Sequence, residues 1–160
     1  MGGNGSYSAT LKQVPTADRT HYEATSRIDG HKILVQKKAI HQKNTPLNSN
    51  SENPIYLCSK VDKKSGDVQI TTIAEYKNHR LVRTVDLKFD KNGNYIGYSS
   101  SDKKSSHSHL WKDDKSKNEI GRTSHQESNI LPVPKKYMPL IRKIEKYNKE
   151  HHKWNKEKSQ

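Results

Sequence analysis

Cysteine is nearly missing from the sequence: Cys58 is the only one in 160 residues. A single thiol forms no intrachain disulfide and builds no thiolate zinc finger. Within the apolar run Ile55-Tyr56-Leu57-Cys58 it is expected to pack as a small hydrophobe in a strand. Phenylalanine is as scarce, with Phe89 alone, and Leu, Ile, Val and Phe together make 28 residues. That is under the share of roughly 20% below which a highly charged chain tends towards disorder, so a large hydrophobic core is excluded. No run approaches the ~18 apolar residues that a membrane span needs. P-loop, GxGxxG, GxSxG and kinase motifs are also missing, which disfavours nucleotide-fuelled chemistry and serine hydrolysis. The start, Met1-Gly2-Gly3-Asn4-Gly5-Ser6, has neither the basic residues nor the apolar segment of a signal peptide. It reads as a flexible linker over residues 1–14, ahead of one domain at 15–160.

Positive charge and histidine are what the sequence has in excess. Thirty Lys and Arg against 17 acidic residues give a net charge of +13. Such an imbalance points to a polyanionic partner, nucleic acid first and an anionic membrane surface second. The charge is uneven: residues 130–160 hold 9 basic and 3 acidic side chains.

Periodicity predicts an α+β domain, an antiparallel β-meander packed against a C-terminal amphipathic basic helix. Ile55, Leu57 and Val61 alternate with Tyr56, Cys58 and Lys60, and Val68, Ile70, Ala74 and Tyr76 share a face after a polar turn. Leu81, Val85, Leu87 and Phe89 define a third strand, followed by the Asn92-Gly93 hairpin signal and Tyr95-Ile96-Gly97-Tyr98. With Lys32–Val35 added, the sheet is expected over about residues 31–98. Ala17–Ser26 is a weak candidate for a short helix. Residues 99–129 read as loop plus the His107-Ser108-His109 segment, with 99–106 mobile. Tyr137, Leu140, Ile141, Ile144, Tyr147, His151 and Trp154 recur at helical spacing, which predicts a helix over about 135–156 that covers the sheet.

Nine histidines make His107-Ser108-His109 the sharpest candidate for chemistry. In an extended segment the two imidazoles fall on one side, about 6.5–7 Å apart at the backbone. Three readings stand: surface histidines, a general acid–base pair, or two legs of a metal site completed by His125 or Asp86. Arg80, Thr84, Asp86 and Lys88 share a polar face in the third strand, suited to a phosphodiester or simply to solvent. Arg83 falls in phase with the apolar residues, so either the strand bulges or an acid such as Glu75 holds it. Arg122 and His125 lie in a further loop placed to close over the histidine pair. On the helix, Lys135, Lys136, Arg142, Lys143, Lys146 and Lys149 are candidates for tracking a phosphate backbone.

The stretch from Phe89-Asp90-Lys91-Asn92-Gly93-Asn94 through a polar loop to His107-Ser108-His109-Leu110-Trp111 resembles C-terminal modules of bacterial polymorphic toxins and phage head-associated proteins. The likeness covers about residues 80–111 and otherwise only the outline. It departs from the plan of the barnase–EndoU–colicin–RelE group, because the strongest helix follows the sheet. It implies a toxin domain delivered within a larger protein to a target-cell cytoplasm, with an acidic immunity protein as partner. The expected activity is metal-independent cleavage of RNA, favoured over DNA, without a cofactor. His107, His109 and His125 would move protons, while Arg80, Lys88 and Arg122 stabilise phosphorane charge. A metal-dependent nuclease and a non-catalytic nucleic-acid-binding protein are the alternatives.

Overall fold

The computed structural model describes residues 16–17, 22–36, 45–61, 65–102, 104–114, 119–122 and 131–151. Its strands are β1 (Thr16–Ala17), β2 (Tyr22–Ile28), β3 (His31–Gln36), β4 (Asn48–Ser49), β5 (Ile55–Val61), β6 (Val68–Lys77), β7 (Arg80–Asp86), β8 (Lys88–Phe89), β9 (Tyr95–Ile96), β10 (His107–Asp114) and β11 (Glu119–Arg122). A 3-10 turn, Lys135–Tyr137, leads into helix α1, Met138–His151. Among the described residues, nine strands form one sheet ordered β1-β4-β7-β6-β5-β3-β2, with β10 also beside β7 and β11 beside β10. β8 and β9 pair separately. The fold is α+β, with one helix packed on a largely antiparallel sheet.

Tight turns set the antiparallel core. Asn78 and His79 have φ of 52° and 70°, and Asp29 and Gly30 have φ of 52° and 81°. Positive φ at both central positions is the turn whose twist matches paired strands. The second of these turns joins β2 to β3, so the segment read as a short helix at 17–26 is instead mostly strand. The sheet also extends beyond the expected 31–98: β2 precedes it, and His107–Asp114, placed in a loop region by sequence, is a strand within it. Tyr95-Ile96 leaves the main sheet to pair with Lys88-Phe89. Two pairings, β3 with β5 and β1 with β4, are parallel.

Consecutive residues in a strand point to opposite faces, and the core divides accordingly. Ile33, Leu57, Ile73 and Val85 lie on one face and pack against Tyr137, Leu140, Ile141 and Ile144. Their neighbours Leu34, Cys58 and Ala74 lie on the other, with Tyr22, Tyr56, Tyr76, Leu81 and Leu47. Chain 45–54 covers this second face, where Tyr76 Oη donates to the Pro46 carbonyl at 2.5 Å and Tyr56 and Ser49 hydroxyls meet at 3.0 Å.

Proline is tolerated only in a helix's first turn, and Pro139 is the second residue of α1. The helix buries Leu140, Ile141, Ile144 and Asn148, whereas His151 is exposed and stacks on Tyr147 with ring centroids 3.9 Å apart. Trp154 and the rest of the expected helix to 156 lie outside the described residues, as do residues 1–14. Among the described residues, no helix is long and apolar enough to cross a membrane.

Candidate functional site

The strand β7 positions the site through a bulge. Tyr76 pairs with Leu81 and Glu75 with Arg83, so Val82 is the extra residue. The bulge turns Arg83 to the helix side, where its Nε lies 3.8 Å from Glu75 Oε1. Glu75 also accepts a hydrogen bond from the Tyr137 hydroxyl and lies 3.6 Å from Lys136 Nζ. Both explanations offered for Arg83 by the sequence therefore hold together. Beyond the bulge, Thr84 pairs with Ala74 and shares its face, and Asp86 follows two residues later on that same face.

β10 completes the arrangement. His107 pairs with Asp86 and His109 with Thr84, across an antiparallel ladder. The period of two brings both imidazoles beside the Asp86 carboxylate, on the face away from α1. His107 Nε2 and His109 Nε2 each lie 3.4 Å from Asp86 Oδ2. The rings meet edge to face, with centroids 4.8 Å apart. Next along the strand, Trp111 packs on the second-face cluster and donates its indole N–H to Thr84 Oγ1 at 2.8 Å.

The serine-rich loop holds this group in register. His107 Nδ1 lies 2.8 Å from the Ser105 carbonyl, which can only accept, so Nδ1 carries a proton and Nε2 faces the carboxylate. Ser105 is itself fixed: its hydroxyl donates to Asp102 O at 2.6 Å and accepts from Ser99 N at 2.9 Å. Ser106 Oγ accepts from Lys88 N at 2.8 Å. Ser105 and Ser106, at the end of the stretch expected to be mobile, thus carry hydrogen bonds that join them to Lys88, Ser99 and Asp102. On the far edge, Ser108 exchanges backbone hydrogen bonds with Leu131 at 2.8 and 3.2 Å.

Electrostatics follow from this packing. Burial alone would raise the Asp86 carboxyl, but hydrogen bonds from both histidines and their positive charge overcome it and hold Asp86 well below the usual carboxylate range. The hydrogen bond to Asp86 raises His107 above the usual imidazole value, against burial and the nearby Lys88 ammonium. Access is unequal. The His107 and His109 side chains are 2% and 0% exposed, against 23% for Asp86. The reachable member is the carboxylate, so direct proton exchange between imidazole and a ribose hydroxyl is not what this geometry favours.

Of the other sequence candidates, Lys88 sits two residues beyond Asp86, exposed and close enough to act on His107. Arg80 does not join them: it starts β7, about 20 Å along the strand from Asp86. The Arg122 backbone pairs with Trp111, two residues past His109. His125 lies outside the described residues. The basic helix is across the sheet from the histidines. There Lys143 Nζ binds Asp29 Oδ1 at 2.5 Å and Lys149 Nζ binds Asn94 Oδ1 at 2.7 Å. Lys135, Arg142 and Lys146 are exposed. Sequence reasoning raised Asp86 as an optional ligand and as one member of the polar face of the third strand, and the signal that strengthens it is its in-phase spacing with Thr84 opposite an HxH strand.

No protein-family model, no curated protein and no solved structure matches this chain.

Proposed function

We propose that the domain is a nucleic-acid-directed hydrolase, with RNA as the favoured substrate over DNA, and that Asp86, His107 and His109 form its chemical centre. The observation that carries the reading is one carboxylate oxygen shared by two buried imidazoles in a chain of net charge +13. Buried charged groups are costly unless they pair with each other or hold a cation, and such a group on a sheet face is a candidate site. In the reaction, water adds across a P–O ester bond, leaving one phosphate-bearing end and one hydroxyl end. Lys88, beside the centre, is placed to offset phosphate charge.

The toxin-like reading is part of this proposal. A domain that cleaves cellular RNA needs an inhibitor in the cell that makes it, and an acidic immunity protein would cover the basic surface by charge complementarity. The test is expression of the chain in bacteria, alone or with His109→Ala, followed by inspection of total RNA and DNA. RNA loss with the native chain and intact RNA with the folded variant is the expected outcome. Intact RNA and DNA in both would leave the non-catalytic binding reading in its place.

A further inference from the structure

The geometry points to Asp86, His107 and His109 as the three protein ligands of a divalent transition-metal ion of the zinc class. The inference adds a cofactor to the centre proposed above, and it rests on that reading only for the substrate the ion would act on. Among the described residues, this is the group of histidine, cysteine and acidic side chains whose donor atoms lie together, all within 4.8 Å of one another.

The donor set comes first. Two imidazole nitrogens and one carboxylate oxygen suit zinc, manganese, iron, cobalt or nickel, whereas magnesium and calcium prefer oxygen throughout. Distance comes second. An ion bound tetrahedrally at about 2.0–2.1 Å holds its ligand atoms about 3.3 Å apart, and both nitrogen–oxygen edges here measure 3.4 Å. A bound ion would draw the two imidazole nitrogens somewhat closer together.

Orientation comes third. The Ser105 carbonyl holds the proton on Nδ1 of His107, which turns Nε2, the nitrogen an ion would take, towards the Asp86 carboxylate. A metal ion would take the place of the proton that pairs His107 with Asp86 in the metal-free protein, and the Ser105 carbonyl is then the outer partner that typically fixes a metal-binding histidine's tautomer. The ladder supplies the preorganisation: His107 faces Asp86 directly, β7 is internal to the sheet over these residues, and β10 is held on its outer side by the Ser108–Leu131 bridge. Three protein ligands leave a fourth position open, the pattern of catalytic rather than structural sites. Since Asp86 is the exposed ligand, that position lies on its side.

The test is made without nucleic acid, so that it is independent of cleavage. The full chain is stripped with a chelator and titrated with Zn²⁺ against a chelating indicator, and separately with Co²⁺ while visible absorption is recorded. One equivalent of each, a cobalt spectrum of a four- or five-coordinate nitrogen–oxygen site, and a Tm raised by Zn²⁺ but not Mg²⁺ are expected. Asp86→Asn and His109→Ala should lose more than the roughly 10–100-fold that outer partners typically contribute, while His31→Ala and His151→Ala stay unchanged. Should either ligand variant fail to fold, ¹⁵N-histidine NMR of the native chain gives the answer: Zn²⁺ should shift the Nε2 signals of His107 and His109. No uptake by the native chain, undiminished affinity in the folded ligand variants, or shifts confined to other histidines would overturn the site. Cleavage by a native chain that takes up no metal would overturn this inference alone. Metal bound without any cleavage would overturn the hydrolase reading alone.

Discussion

Asp86 and His109 meet across the β7–β10 ladder, Oδ2 to Nε2 at 3.4 Å, with the imidazole shut off from solvent and the carboxylate not. The same oxygen faces His107, so one acidic group balances two buried basic ones. Removing it leaves both imidazoles without their anion. In the metal-free protein, Asp86→Asn should therefore destabilise by about 1–3 kcal/mol, below the 3–5 typical of a fully buried pair because the carboxylate is partly exposed. The shift in urea midpoint at constant m-value measures it.

Asn148 is the polar residue in the buried stripe of α1, and it works as a clamp. Its amide accepts from Ile70 N at 2.8 Å and donates to Ile70 O at 3.0 Å. These are the groups beside the bulge at Thr71, where β5 and β6 slip by one residue. Asn148→Leu should cost about 2–4 kcal/mol by leaving two backbone groups buried and unmatched. Denaturant unfolding reads the loss, and an unchanged midpoint would show that water reaches Ile70.

Cys58 is fully buried, and burial pushes its thiol up to about 12 from an ordinary value of 9.0. The folded state thus keeps its proton where the unfolded state loses it. The associated stability is complete below pH 9 and is lost as pH rises towards 12, a change of about 4 kcal/mol. Cys58→Ala should flatten the alkaline limb of a stability–pH curve. In the native chain at pH 8, iodoacetamide should leave Cys58 unmodified until urea unfolds the protein.

Much of this was legible in the sequence. The β5–β6–β7 meander, the Asn92-Gly93 turn, the helix behind Pro134 and, as one of two alternatives, the pairing of Arg83 with Glu75 follow from alternation, turn chemistry and the cost of a buried charge. The shared faces do not, because the bulges at Thr71 and Val82 put Ile70 on the face away from Ala74 and Tyr76, and Leu81 on the face away from Val85 and Leu87. The strand at 22–28 was missed because Ala24 and Ser26 leave its alternation with Glu23, Thr25 and Arg27 only weakly apolar, although Asp29-Gly30 carries a hairpin signal. The histidine pair was found, but its setting was not. Strand pairing between residues 83–86 and 107–110 is non-local, and no local pattern announces that β10 inserts beside β7. Local pattern also put Arg80 on one face with Asp86, but the Val82 bulge places Leu81 on the Thr84 face and so Arg80 on the opposite one, and the strand's length separates them as well.

Lys88 and Lys143 are both exposed cations with different work to do. Lys88 lies beside the centre, whereas Lys143 ties the helix to Asp29 across the sheet. Lys88→Ala should reduce the slope of log K against log salt for RNA by about 0.7, one single-strand phosphate contact. Lys143→Ala should leave that slope unchanged and cost at most about 1 kcal/mol of stability. Fluorescence anisotropy at several salt concentrations separates the two.

The most direct measurement compares the purified native chain with folded Asp86→Asn on a labelled RNA, with Zn²⁺ supplied and binding recorded at the same salt. The account predicts cleavage by the native chain and a loss of at least about 10²-fold in the variant, the lower end of what one well-placed catalytic group typically supplies, while RNA affinity is retained. Equal cleavage by both would place the chemistry elsewhere in the chain, and no cleavage by either would contradict the assignment of this centre as a hydrolase.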